Sequence, residues 1–336
     1  MSTTPRGSRW RLTLIAVLTF AAALLVVACG DDDDGGGGSG GGGDGGGGGY
    51  TMTLIAGVRG DEFYITMNCG AQEEAKKQGV ELDFQGPDQF DASLQTPIVN
   101  AVTQKKPDAI LIAPTDTKAL YVPIKQAADA GIEIVLVDTT LEQADLAVSQ
   151  IASDNIGGGR EAATALADLI GGEGKVFVNN VNPGISTTDL RAQGFEEQAK
   201  KLGLDYLGQQ FNDDDPAKAA AITKAQLAKE PDLKGIFATN LFSAEGSASG
   251  LREADKLGDV KIVGFDAGPK QIEDLNGGLV QALVAQRPAE IGKLGVQQAV
   301  AALDGKATKK EIGTGFVTLT KDNLKENPDI PYKSSC

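Results

Sequence analysis

Short apolar runs rich in β-branched residues alternate along most of the chain with longer segments dominated by Ala, Leu, Lys and Glu. The runs at 53–58, 80–84, 109–112 and 133–137 read as strands, with an edge strand at 147–151. A second series follows at 175–179, 204–209, 235–238, 261–265 and 279–285, and helical patterns fill the gaps. Strands separated by helices build βαβ units and therefore parallel sheets. Two such series predict an α/β protein of two doubly wound lobes, with no repeat of solenoid length.

Ligands of open α/β sheets bind beyond the carboxyl ends of the strands, so the residues just after each strand are the informative ones. After the first strand come Arg59, Gly60, Asp61, Glu62, Phe63 and Tyr64; after the fourth come Asp138, Thr139 and Thr140. In the second series Asn240, Asp266 and Gln286 follow their strands, and Arg191 opens a helical stretch. These are hydrogen-bonding side chains and aromatics with no activated nucleophile among them. Singly, Asp138, Asp154 or Asp266 could do no more than cap the next helix. Glu62 reads as a solvated rim charge. The run Gly157-Gly158-Gly159 lacks the Gly-Lys-Ser/Thr that a phosphate loop needs and reads as a turn. Ser186-Thr187-Thr188-Asp189 reads as a helix N-cap.

The first fifty residues differ from the rest. Arg6, Arg9 and Arg11 precede an unbroken apolar run at 12–28, the pattern of an export signal rather than a spanning helix. Val26-Val27-Ala28-Cys29 matches a lipoprotein processing site in its small residues, with Val26 where leucine is usual, and predicts a lipidated Cys29. The signal peptide is thus expected at 1–28. Residues 30–49 are Gly and Asp with one Ser39, a composition that cannot bury apolar surface. With Cys29 they form an expected tether, 29–49, with a root-mean-square span of about 25 Å. The protein is expected outside the cytosol, anchored on the outer face of the cell membrane.

The chain of 336 residues has 31 Lys plus Arg against 46 Asp plus Glu, and no His. The absence of imidazole excludes His-based triads and His-ligated zinc. A formal charge of -15 excludes a protein built to neutralise nucleic-acid phosphates. No cofactor and no metal are expected. The single tryptophan, Trp10, leaves with the signal, so only Phe and Tyr remain to stack on a ligand. Once Cys29 is lipidated, Cys69 and Cys336 remain, and in an oxidising compartment a Cys69–Cys336 disulfide is expected. It would pin the C-terminal tail to the first helix.

In order and spacing, a set of short motifs resembles the periplasmic sugar-binding proteins of the ribose-binding type, relatives of the ligand-binding core of LacI-type repressors. They are Phe63-Tyr64 with Gly70-Ala71, Ala113-Pro114-Thr115-Asp116, Val137-Asp138, Ile151-Ala152-Ser153-Asp154-Asn155, Arg191 with Gly194-Phe195, Asn240, Val263-Gly264-Phe265-Asp266 and Ala285-Gln286. The resemblance spans about four-fifths of the chain. It implies a first lobe of residues 50–153 and 286–314 and a second of 154–285 and 315–336, joined by a three-crossing hinge. It also implies a binding set of Asp61, Phe63, Tyr64, Asp138, Thr139, Arg191, Asn240, Asp266 and Gln286. Phe63 and Tyr64 would pack on apolar ligand faces, Asp138, Asp266 and Asn240 would bond hydroxyls, Arg191 would donate a two-pronged pair, and Gln286 would reach in from a hinge crossing. Asp61 stands where the ribose binder has Asn, Thr139 where it has Arg, and Asp214 where it has a third aromatic, departures that weaken ribose but not sugars in general.

A polyol presents groups that donate and accept at once, which suits carboxylates, amides and a guanidinium, and its C–H faces suit aromatic platforms. The expectation is a monomeric solute-binding protein that takes a neutral monosaccharide or sugar alcohol and delivers it to an ABC permease. Two other classes fit less well: a sensor that docks on a membrane receptor, and a glycoside-processing enzyme using Asp138 and Asp266 as its carboxylate pair.

Overall fold

The computed structural model describes residues 49–336; the apolar leader, Cys29 and the tether up to residue 48 lie outside the described residues. The chain runs β1 (Thr51–Ile55), α1 (Glu62–Gln78), β2 (Glu81–Gln85), α2 (Ala92–Lys105), β3 (Ala109–Ile112), α3 (Tyr121–Asp129), β4 (Glu133–Val137) and β5 (Ser149–Ser153). The rhythm repeats as α4 (Asn155–Ile170), β6 (Lys175–Asn180), α5 (Ser186–Leu202), β7 (Asp205–Phe211), α6 (Pro216–Lys229) and β8 (Leu233–Ala238). It continues through α7 (Leu241–Glu253), β9 (Lys261–Phe265), α8 (Pro269–Gly277) and β10 (Ala282–Ala285). Then come α9 (Pro288–Leu303), β11 (Glu311–Thr314) and β12 (Val317–Leu319).

These strands form two six-stranded sheets, ordered β11-β5-β4-β3-β1-β2 and β12-β10-β9-β8-β6-β7. The two orders match strand for strand, so the α/β two-lobed architecture expected from the alternation is present. Strands such as β3 (AILI) and β10 (ALVA) are buried throughout, as helices on both sheet faces require. β12 departs from the parallel pattern and pairs antiparallel with β10. Between the sheets the chain passes at 153–155, 285–288 and 314–317. At these passages Asp154 N donates to Thr314 O at 3.1 Å, and the Ser153 and Thr314 hydroxyls lie 3.3 Å apart.

Each lobe contains a close helix crossing made reciprocally through glycine. In the first, a Cβ on Gly70 of α1 would lie 2.0 Å from Ala289 O, and one on Gly292 of α9 would lie 2.0 Å from Met67 O. In the second, the same reciprocal arrangement joins α4 to α5: Gly159 faces Arg191 O at 2.0 Å and Gly194 faces Ile156 O at 2.2 Å. The run 157–159 is therefore not a turn. It lies inside α4, where the absence of side chains admits the neighbouring backbone, and a Cβ on Gly158 would meet the Phe265 ring at 2.7 Å.

Other departures from the sequence reading have local causes. β1 stops at Ile55, three residues early, and β5 begins two residues late, at Ser149. β10 begins only at Ala282, because Gly278, at φ 76°, caps α8 and the chain turns before entering the sheet. Strands β11 and β12 were not foreseen; EIGT and VTL are too short and too polar to show a period. Ser186 begins α5 rather than preceding it, and no side chain caps that helix.

Cys69 of α1 and Cys336 form a disulfide with Cα atoms 5.3 Å apart. The tail leading to it does not stay on the second lobe. It touches Ala267 there through Tyr332 N and then Thr66 of α1 through Lys333 N, at 2.9 and 2.7 Å.

Candidate functional site

The carboxyl ends of both sheets face one polar cavity, lined from both lobes. The first lobe contributes Asp61, Phe63 and Tyr64 from the start of α1, Phe90, and Asp138 after β4. The second contributes Val181, Ile185, Thr187, Thr188 and Arg191 around α5, with Asp214, Asn240 and Asp266 after β7, β8 and β9. Gln286 enters from the passage after β10.

Asp138 and Asp266 hold equivalent places. Each follows the fourth strand of its sheet, each has a left-handed backbone, with φ 64° and 78°, and each N–H bonds the next strand, to Ile151 O at 2.8 Å and Val284 O at 2.9 Å. Aspartate tolerates this region better than most residues, but the conformation still stores strain, and such strain collects at functional sites. Here it turns a carboxylate from each lobe toward the same space.

Arg191, 3% exposed, lies between them with its guanidinium carbon 3.9 Å from the centre of the Phe265 ring. Nε donates to Asn155 Oδ1 at 2.8 Å and Nη1 to Thr239 O at 2.9 Å, so Asn155, at the first passage between the lobes, orients it. Those two bonds leave three of the five guanidinium donors for other partners. Asp138 Oδ2 accepts from Tyr64 OH at 2.8 Å. Asp266 Oδ1 accepts from Gln286 Nε2 at 2.6 Å and Tyr332 OH at 3.1 Å, and its Oδ2 accepts from Leu241 N. Asp61 accepts from Phe63 N, capping α1. Asn240 caps α7 through Ser243 N and donates to Asp214 at 2.6 Å. Capping and cavity-lining are thus combined in Asp61 and Asn240.

Burial raises all four carboxyls. Asp138 moves up to about 6 against the pull of Arg191 and the Tyr64 hydrogen bond, and Asp214 to about 7. Asp61 is raised well above the usual range by burial and then by Asp266 and Asp214, and Asp266 is raised by burial against Arg191. One guanidinium thus faces four carboxyls whose burial disfavours their charged form. Because these groups hold protons more tightly in the folded chain than at the ordinary value of 3.8, the stability they confer is complete below that value and is lost as pH rises through about 6 to 7. The melting temperature of the ligand-free protein is therefore expected to fall between pH 5 and pH 8. Asp214→Asn should flatten that slope in differential scanning calorimetry; an unchanged slope would refute the assignment.

Of the residues expected from the sequence, Thr139 is not at the cavity. Its hydroxyl donates to Pro114 O at 2.8 Å and the residue is buried behind Asp138, bracing the turn. Asp61, Phe63, Tyr64, Asp138, Arg191, Asn240, Asp266 and Gln286 are brought together. Phe90, Thr187 and Thr188 also line the cavity, outside the binding set expected from the sequence. Phe90 was legible as a lone aromatic in the polar loop Pro87-Asp88-Gln89-Phe90-Asp91, whereas the threonines were taken for a cap.

Three side-chain atoms are buried without a hydrogen-bond partner among the described residues: Asp138 Oδ1, Thr188 Oγ1 and Gln286 Oε1. All three belong to residues that line this cavity. An unpartnered buried polar atom costs about 1–3 kcal/mol, and gathering three around one space makes sense where a polar molecule supplies the missing bonds.

Two lobes with matched sheets, meeting over a polar cavity at their carboxyl ends and joined by three passages, define a two-lobed binding protein. A family profile described as a periplasmic binding protein domain matches residues 52–307, and the chain belongs to that family. It is similar to the ribose import binding protein of Bacillus subtilis, 32% identical over 263 residues, 78% of this chain and 85% of that protein. Among solved structures it resembles an ABC transporter solute-binding protein from Agrobacterium vitis bound with α-D-tagatopyranose. That match has 45% identity and a TM-score of 0.83, covering 84% of this chain and 99% of the other. A second solute-binding protein from Agrobacterium vitis, with bound D-fucose, matches at 30% identity and a TM-score of 0.80, covering 84% and 100%.

Proposed function

We propose that this protein is the extracytoplasmic solute-binding component of an ABC transporter, capturing one neutral monosaccharide or sugar alcohol between its lobes. The observation that carries the reading is the convergence of the three unpartnered atoms on one cavity that also holds Arg191 and the aromatic rings of Phe63, Tyr64 and Phe90. Two of the three are acceptor oxygens, so the ligand must donate there; a hydroxyl-rich molecule does so while accepting from Arg191. Solute-binding relatives that hold tagatose and fucose support the same substrate class. The carboxyls disfavour a sugar phosphate.

Closure follows from bonds to both lobes, because a ligand shifts an open–closed equilibrium only through its different affinity for the two states. Thr117 N bonds Gly184 O at 3.1 Å and Thr140 N bonds Ser186 Oγ at 2.9 Å, contacts between the lobes that opening would break. In this reading the protein performs no covalent chemistry and acts as a monomer, Cys29 carries the lipid, and the closed form is what the permease recognises.

A thermal-shift screen of pentoses, hexoses, inositol and their phosphates tests the reading. A true ligand at a hundred times its Kd should add about 2.7 kcal/mol to stability. If no neutral sugar or polyol shifts the transition, or a phosphorylated one shifts it most, the substrate class is wrong.

A further inference from the structure

Tyr332 lies outside the cavity lining yet touches three residues of it. Its hydroxyl accepts from Gln286 N at 3.0 Å and donates to Asp266 Oδ1 at 3.1 Å, the oxygen that Gln286 Nε2 also reaches. Its ring packs edge-on against Phe63 at 5.9 Å between centroids, and the residue is 5% exposed. Phe63 belongs to the first lobe, Asp266 to the second, and Gln286 to a passage between them, so one side chain spans the joint. The hydrogen-bonded ring of Tyr332, Asp266 and Gln286 also decides how Gln286 is presented. With Nε2 committed to Asp266, the amide turns its unpartnered Oε1 to the cavity.

What keeps Tyr332 there is covalent. The chain leaves β12 on the second lobe, bonds Ala267 O through Tyr332 N, bonds Thr66 of α1 through Lys333 N, and ends in the disulfide to Cys69 of the same helix. With the bridge formed, the lobes have a fourth covalent connection beside the three passages. α1 is also the helix whose first turn carries Phe63 and Tyr64.

We infer that Tyr332 is a positioning residue of the binding cavity, and that residues 332–336, closed on α1 by the disulfide, form the strap that holds it in place. The inference rests on the sugar-binding reading for its effect on affinity, but not for the docking of the strap.

The test uses the mature chain, with D-tagatose and D-fucose as calorimetric probes. Tyr332→Phe keeps the ring against Phe63 and removes only the hydroxyl; it should weaken binding roughly ten-fold, the worth of one hydrogen bond to a charged group. Cys336→Ser, or reduction of the wild type, should weaken binding in the same direction. The double variant should bind no worse than Tyr332→Phe alone, because the strap acts through the hydroxyl that is already gone. Additive losses, or wild-type affinity in Tyr332→Phe, would overturn the proposal. Amide hydrogen exchange without ligand separates it from the functional reading. Loss of the hydroxyl should speed exchange of the Gln286 N–H, and unchanged exchange there would overturn the strap. If the wild type binds neither probe nor any sugar of the panel, the functional reading fails and the exchange result still decides the docking.

Discussion

Arg191→Met is expected to weaken sugar binding by roughly thirty-fold or more. Among the residues lining the cavity Arg191 is the basic one, and its guanidinium is the largest of the influences that pull the carboxyls of Asp138 and Asp266 down against burial. Methionine retains an unbranched apolar stem to lie over Phe265, so packing is largely conserved while the charge and all five donors are lost. The carboxyls of Asp138 and Asp266 rise further, and a ligand hydroxyl that accepted from the guanidinium is left without a partner. Losses of this kind amount to about 2–5 kcal/mol, or roughly thirty-fold to several-thousand-fold in affinity. Titration calorimetry with the best sugar of the panel reads the result directly. Wild-type affinity in the variant would remove Arg191 from the ligand's shell.

The second large effect is on the scaffold. Gly159→Ala places a methyl group 2.0 Å from the Arg191 carbonyl oxygen and 2.9 Å from Phe195 N, both backbone atoms that cannot swing aside. α4 and α5 must part, and with them the Phe195–Phe237 stack at 4.8 Å on the sheet below. Overpacking usually costs about 1–3 kcal/mol and more where the obstacle is rigid, so a loss of about 3 kcal/mol or more is expected. That corresponds to a melting temperature lower by roughly 5 °C, because the unfolding entropy grows with the length of the folded body. Sugar affinity should fall as well, because the displaced backbone is that of Arg191. Gly313→Ala, whose added methyl meets nothing within 4 Å, is the control and should be close to neutral. Equal melting temperatures for the two variants would contradict the close crossing.

Much of this was legible in the sequence for a physical reason. Buried parallel strands must be nearly all apolar, so β3, β4 and β9 stand out at 109–112, 133–137 and 261–265, and the polar residue after each such run marks the cavity side of the sheet. Asp138, Asp266 and Asn240 were found in that way. Thr139 was expected beside them, but the left-handed backbone at Asp138 turns the chain there and the Thr139 hydroxyl bonds Pro114 O instead. The glycine run at 157–159 was misread because a close helix crossing is a tertiary demand with no local pattern. Tyr332 was invisible as a site residue, since its partners Asp266 and Gln286 lie 66 and 46 positions away, in a segment whose own composition reads as tail.

Both sheets take their sixth strand from the short stretch 311–319, β11 beside β5 and β12 beside β10. One short stretch thus covers the β5 edge of the first sheet and the β10 edge of the second, and its loss would bare both at once.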